Sequence, residues 1–338
     1  MHRAKSWQWA IMMAGLPVAL LIAICTGRVA VEPSFFWRWL TAGGAFAPGS
    51  DDATAYAVIT ALRLPRAALA VAAGAGLAMA GAALQGALRN PLAGPQTVGV
   101  LGGAGAGGTL ALLLYPQPWF VVVVAFAGGL VSIAAVLWLA RIEQRVTVLS
   151  VILAGIIVGS LFTALIALMQ FVADPDRQLP NLVFWLMGSL AAATYGKAAL
   201  VGAIALAMGA WMTAAGFRLN VLCSGDDEAL ALGVNAPRLR IAVLAAVALV
   251  CAAVVATCGL VAWVGLVVPH IARLLVGHDH RVLIPCSALI GAVFVLLVDT
   301  LCRSMTAAEI PLGALTAVVG APLFAILIKR NLSALGMQ

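Results

Sequence analysis

The chain has 338 residues, 64% of them hydrophobic and 9% charged, with 19 Lys and Arg against 12 Asp and Glu. Soluble domains carry about 25% charged residues, so this inventory cannot cover a water-facing surface, and the balance of +7 does not mark a nucleic-acid-binding domain. Six cysteines without a C-x-x-C pair indicate neither a disulfide framework nor a zinc site, which leaves a polytopic, all-α membrane protein.

A membrane helix needs about 20 mostly apolar residues. Such runs fall at 7–26, 67–86, 95–115, 119–140, 147–172, 198–217, 241–262, 261–276, 282–301 and 311–328. Ten spans result, with nine as the competing count, because the stretch from Ile241 to Val276 is interrupted only around Gly259. The first run follows a basic start (His2, Arg3, Lys5) but is too long for a signal peptide and lacks an A-x-A-like site. Ile24 is too bulky for the residue before a lipoprotein cysteine. The polar stretch between 26 and 67 is expected to hold a short surface helix around 33–41.

Arg63-Leu-Pro-Arg66 leads into the second span, and Arg89-Asn90-Pro91-Leu92-Ala93 forms a tight turn after it, where Pro91 biases Asn90 away from helix. Gly103, Gly105 and Gly108 fit G-x-G-x-x-G but lie in an apolar span with no preceding strand, so close helix packing explains them, as it does Gly155 and Gly159. The longest connection runs from Arg218 to Arg240. Within it Ser224 is expected to cap a helix whose first turn holds Asp226, Asp227 and Glu228. Gly233 then stops that helix and Asn235-Ala-Pro237 starts the next. His278-Asp279-His280 reads as a solvated turn rather than a metal site, and Cys251 and Cys258 as packing residues.

Orientation follows from Lys and Arg. With ten spans and the N-terminus inside, twelve basic and five acidic residues fall in cytoplasmic segments, and seven of each fall outside. The whole excess of +7 therefore sits on one side, as an N-in, C-in chain should show. No Asp, Glu, Lys or Arg stands near the middle of a span; Asp299, Arg303 and Glu309 gather near the outer end of the ninth. That speaks against an ion-coupled carrier, which needs an intramembrane carboxylate or a broken helix. No H-E-x-x-H, G-x-S-x-G or phosphate-loop motif occurs, so no catalytic residues, metal or cofactor are expected. A transporter of this composition must draw its energy from a partner.

Several segments together resemble the iron-chelate and cobalamin (FecCD-type) permeases of type II bacterial ABC importers. They are Arg63-Leu-Pro-Arg66, Gln85-Gly-Ala-Leu-Arg-Asn-Pro-Leu-Ala93, Trp185-Leu-Met-Gly-Ser-Leu190, Leu219-Asn-Val-Leu222, Ala229-Leu-Ala-Leu-Gly-Val234, Val264-Gly-Leu-Val-Val-Pro-His-Ile-Ala-Arg273, Asp279-His-Arg281, Glu309-Ile-Pro-Leu-Gly-Ala-Leu-Thr316 and Gly320-Ala-Pro322. They run in family order from about 55 to 330.

The resemblance implies a single permease domain over 1–338 in the bacterial inner membrane, with spans two to five related to seven to ten by an inverted repeat. Leu153-Ala-Gly with Leu161-Phe162 faintly echoes Leu315-Thr-Ala with Leu323-Phe324 in the matched fifth and tenth spans. It implies a permease homodimer, two cytoplasmic ATPase subunits that hydrolyse the ATP, and a periplasmic substrate-binding protein. The 218–240 segment would couple to the ATPase through Asp226, Asp227, Glu228, Ala229, Leu230, Leu232 and Gly233. Asn90, Pro91 and Leu92 would belong to a cytoplasmic gate, and Arg63, Arg66 and Arg303 would dock the binding protein. The favoured cargo is an iron chelate, a ferric siderophore or haem. Cobalamin is the alternative within the family, and a secondary carrier or a non-transporting scaffold the alternative outside it.

Overall fold

The structure, a computed structural model, describes residues 6–27, 31–32, 34–43, 46–47, 49–142, 145–306 and 308–334. Of the residues named above, His2, Arg3 and Lys5 lie outside these. The first span is α1 (Ser6–Cys25), followed by the expected surface helix α2 (Ser34–Ala42). Helix then begins again earlier than the apolar run suggests. Ser50 Oγ accepts the Ala53 N–H, Asp51 and Asp52 fill the first turn of α3 (Asp51–Ala57), and a π-helical stretch, Val58–Arg63, runs straight into α4 (Leu64–Ala87). The second span thus belongs to a 37-residue helix rather than starting at 67. Pro65 does not break it, because proline lacks only its own N–H and the wide π turns shift the register; Leu64 N–H reaches back to the Ile59 carbonyl.

A 3₁₀ turn (Pro95–Val98) precedes α5 (Val100–Leu114); α6 (Pro118–Ala140) follows. Two short strands, β1 (Arg141–Ile142) and β2 (Arg145–Val146), form an antiparallel hairpin with Arg141 opposite Val146. Thr147 caps α7 (Val148–Val172), and the short α8 (Leu179–Leu186) lies before α9 (Tyr195–Ala214). The long connection holds α10 (Gly216–Ser224) and α11 (Asp226–Ala231). The chain closes with α12 (Ala236–Cys258), α13 (Val264–Val276), α14 (His280–Ser304) and α15 (Leu312–Ala334). The seventh and eighth spans are therefore two helices, separated from Gly259 on. Gly259 (φ 70°, ψ −165°) occupies a region that only glycine enters freely. Among the described residues six helices are long and apolar enough to cross a membrane, and α5, α13 and the apolar parts of α1 and α15 are shorter. Together they stand where the ten runs were expected.

The packing carries the expected inversion. Helix α4 packs on α13 and α14, as α12 packs on α5 and α6; α4 and α12 also touch each other, and α9 lies against both. Exchanging spans two to five with seven to ten maps each pairing onto the other. These central helices are built of small residues, so backbones meet. A β-carbon at Gly74 would strike the Gly291 carbonyl of α14, and one at Gly81 the Gly265 carbonyl of α13. Such approach replaces the hydrophobic drive that lipid cannot supply between apolar helices. The two short helices also begin alike, on left-handed residues: Gly99 (φ 77°) before α5 and Trp263 (φ 69°) before α13. A left-handed tryptophan costs about 1–2 kcal/mol, offset here by packing on Gly320 and an edge-on ring contact with Phe324 at 6.2 Å.

Candidate functional site at the two ends of the bundle

At one end, the turn after α4 bends through Arg89, a non-glycine residue at φ 45°. Asn90 Oδ1 accepts the Leu92 N–H at 2.9 Å, closing the turn, and Leu92 is exposed. The Pro91 carbonyl lies 2.8 Å from His270 Nε2 of α13, and the His270 ring stands edge-on to Phe324 of α15 at 5.2 Å. The turn expected to gate is thus tied to the eighth and tenth spans.

Beside it lies the 216–240 connection. Ser224 is not the cap that the sequence suggests. It ends α10, and Gly225 (φ 144°, ψ 164°) takes the cap position of α11. The Glu228 carboxylate folds back over Gly225 into the space a β-carbon would need. The far end matches expectation: Gly233 (φ 76°) donates to the Leu230 carbonyl, Val234 donates to Ala229, and Asn235 caps α12 by accepting the Arg238 N–H. Asp227 and Glu228 are exposed; Leu230 and Leu232 are 69% and 68% exposed, whereas Ala229 is buried. Asp226 turns inward. Arg240, taken above as part of the connection, lies in the second turn of α12 and is fully buried; its Nη1 and Nη2 grip Asp226 at 2.8 and 2.6 Å. That fork, more than any other influence, holds the Asp226 carboxyl below the usual carboxylate range. Nearby, Asn220 of the Leu219-Asn-Val-Leu222 motif donates to Asp279 at 2.7 Å and accepts the His280 N–H at 2.9 Å. Asp279 caps α14, and Arg281 holds its carboxyl well below the usual range.

The opposite end gathers Arg63, Arg66 and Arg303, as expected, but their donors point into the chain. Arg66 Nε and Nη2 bind Asp299 at 3.0 and 2.9 Å, and Nη1 donates to Glu309 at 3.0 Å. Asp299 is 2% exposed. Arg63 donates to the Ile24 and Cys25 carbonyls, Arg303 to Ala23 and Thr26, so two guanidinium groups cap the last turn of α1. Those carbonyls have no partner within their own helix, and cations suit the negative helix end. Gly27 packs directly on both groups.

Also at this end, backbones of three distant segments interlock. Leu312 and Gly313 N–H groups donate to the Gly188 and Met187 carbonyls at 2.9 Å each, and Ser189 N–H donates to Cys258 at 2.8 Å. Side chains at Gly188, Gly259 or Gly313 would collide with this knot. The sequence signal was present in the glycines of Trp185-Leu-Met-Gly-Ser-Leu190 and Pro311-Leu-Gly313, but nothing local announces that they meet.

A bundle of ten apolar helices, two central helices related by inversion and a capped amphipathic connection at one end define a membrane permease subunit. The chain belongs to the FecCD transport family, whose model matches residues 15–330. It is 41% identical over 277 residues, 81% of each chain, to the molybdate import system permease MolB of Haemophilus influenzae. It is 34% identical to the vitamin B12 import system permease BtuC of Vibrio cholerae, covering 98% of this chain and 96% of that one. With the Fe(3+)-citrate import system permease YfmE of Bacillus subtilis the identity is 39% over 80% and 82%. Among solved structures, an inward-facing metal-chelate type ABC transporter superimposes with TM-score 0.84 at 36% identity, covering 94% of this chain and 97% of that one. The chain is the permease subunit of an ABC importer of the inner membrane, and ATP hydrolysis resides on a separate subunit.

Proposed function

We propose that this permease imports an iron chelate from the periplasm to the cytoplasm, as a homodimer served by two ATPase subunits and a binding protein. The end with Asn90 and α11 is the cytoplasmic one, with both termini on that side. The observation that carries the cargo reading is the outer half of α7. Beyond Val158 none of its residues is buried; Leu161, Leu165, Leu168 and Phe171 are exposed, the Thr163 hydroxyl is spent on the Gly159 carbonyl at 2.9 Å, and Ser160 and Gln170 are the other polar side chains. In the dimer that surface would meet the second permease and face the pathway. A wall this apolar gives a naked oxyanion few donors to replace its water, but it passes an ion wrapped in an organic ligand. Relatives named for Fe(3+)-citrate and iron chelatin support the choice.

At the cytoplasmic end Leu230 and Leu232, flanked by Asp227 and Glu228, form the surface for an ATPase cleft, with Gly233 shaping its edge and Asn90-Pro91-Leu92 the adjoining gate. At the periplasmic end the binding protein docks on the patch organised by Arg63, Arg66 and Arg303; acidic groups on its lobes compete with Glu309, which is more open than Asp299, for Arg66. The test is uptake by proteoliposomes holding the permease, its ATPase and its binding protein. Uptake of radioactive iron as a chelate, dependent on ATP and on the binding protein, is expected. Uptake of molybdate or cobalamin with no iron chelate transport would overturn the cargo assignment.

A further inference from the structure

Arg240 is the one cation among the described residues that is fully buried, and its bonds leave α12 in three directions. Nε donates to the Ala87 carbonyl at 3.0 Å, the last residue of α4. Nη1 reaches the Val146 carbonyl at 3.4 Å, just before α7. The fork takes both oxygens of Asp226, the first residue of α11. From its solvent side the same carboxylate meets Arg89 Nη2 at 3.3 Å, next to Asn90. One carboxylate therefore joins α11 both to the interior of the bundle and to the turn after α4. A planar guanidinium holding both oxygens fixes direction as well as distance. Glycines at 225 and 233, both at positive φ, bound α11 on either side, so its backbone ends are the pliable part and Asp226 the stiff one.

We infer that Arg240 and Arg89 are positioning residues that clamp Asp226 and so convert movement of α11 into movement of the 89–92 turn. This rests on the proposed ATPase contact of α11. An ammonium cannot reproduce the fork, so Arg240→Lys keeps the charge and loses the geometry. In proteoliposomes containing the complete transporter, Arg240→Lys should leave ATPase association and ATP hydrolysis in place and lower substrate moved per ATP about tenfold, within the range of ordinary coupling energies. Arg89→Gln, on the exposed side, should lower it less. Asp226→Asn added to Arg240→Lys should cost no more than Arg89→Gln does, because the fork is already broken and only the Arg89 contact remains to be lost. A cysteine at Leu92, in a permease whose native cysteines are replaced, should lose its nucleotide-dependent accessibility in Arg240→Lys. An unchanged transport-to-hydrolysis ratio in Arg240→Lys overturns the clamp. If that variant does not assemble, Arg89→Gln decides: a lowered ratio supports the clamp and an unchanged one overturns it. Leu230→Asp separates the two readings. If it leaves ATPase association intact, the α11 contact is wrong; if it abolishes association while Arg240→Lys transports normally, only the clamp is wrong.

Discussion

Arg66 and Asp299 form the closest enclosed ion pair at the end where Arg63, Arg66 and Arg303 gather, and their partners decide what each change costs. Removing Arg66 leaves a carboxylate that is 2% exposed with only the more distant Arg303, at 3.8 Å, as its cation; removing one partner of a buried pair costs about 3–5 kcal/mol. Arg66→Gln should therefore lower thermal stability in detergent strongly, whereas Glu309→Gln, whose carboxylate is 29% exposed, should cost about 1 kcal/mol or less. Arg66→Met with Asp299→Leu, which removes the buried carboxylate together with its main cation, should recover part of the loss, since Glu309 and Arg303 each still lose a partner. Equal melting shifts for Arg66→Gln and Glu309→Gln would show that Arg303 suffices as the cation of Asp299. This sets the docking proposal its sharpest condition: substitutions at Arg66 must be judged by binding-protein stimulation measured on permease shown to be folded.

The segment proposed to couple to the ATPase shows what local pattern does and does not encode. Gly233 and Asn235 were legible because a helix stop and start are decided within a few residues. Ser224 was misread because Gly225 offers the chain a backbone geometry that outweighs a hydroxyl cap. Arg240 was placed in a connection because a charge next to an apolar run marks a boundary, unless three partners elsewhere in the chain bury it. The long helix from Asp51 was hidden by Pro65. The two bounding glycines now separate in their demands. Gly225 lies at φ 144° and ψ 164°, a region essentially reserved for glycine, whereas Gly233 at φ 76° is in the left-handed region that asparagine tolerates. Gly225→Asn should cost about 1–3 kcal/mol and uncouple transport; Gly233→Asn should transport nearly as the parent does. Uptake assays on the pair check this, and equal activities would mean that α11 can be entered by another route.

At the scale of the molecule, the ten apolar runs and their inverted relation were readable from length and family likeness, while the crossings that hold them were not. Gly74 and Gly291 are single letters in alanine-rich helices, yet each stands where the other's carbonyl leaves no room for a β-carbon. Overpacking a close contact costs about 1–3 kcal/mol, and here the obstruction is backbone. Gly74→Val should prevent recovery of folded permease, whereas Gly196→Val, at a helix start with only the Thr194 hydroxyl nearby, should not. Size-exclusion profiles after solubilisation distinguish them; a normal profile for Gly74→Val would show that α4 and α14 can separate without loss of the fold.

The capping of α1 has a consequence for how the chain is made. One of its two cationic caps, Arg303, lies 277 residues beyond the Thr26 carbonyl it serves. At about 5–20 residues per second, the ribosome reaches that arginine about 14–55 seconds after it has made Thr26. Through that interval α1 carries an unfinished end, with Arg63 as its earlier cap, and the ninth span completes it. A helix made early is thus among the last to be sealed, and a chain truncated before 303 should keep an α1 that can be pulled back out of the membrane.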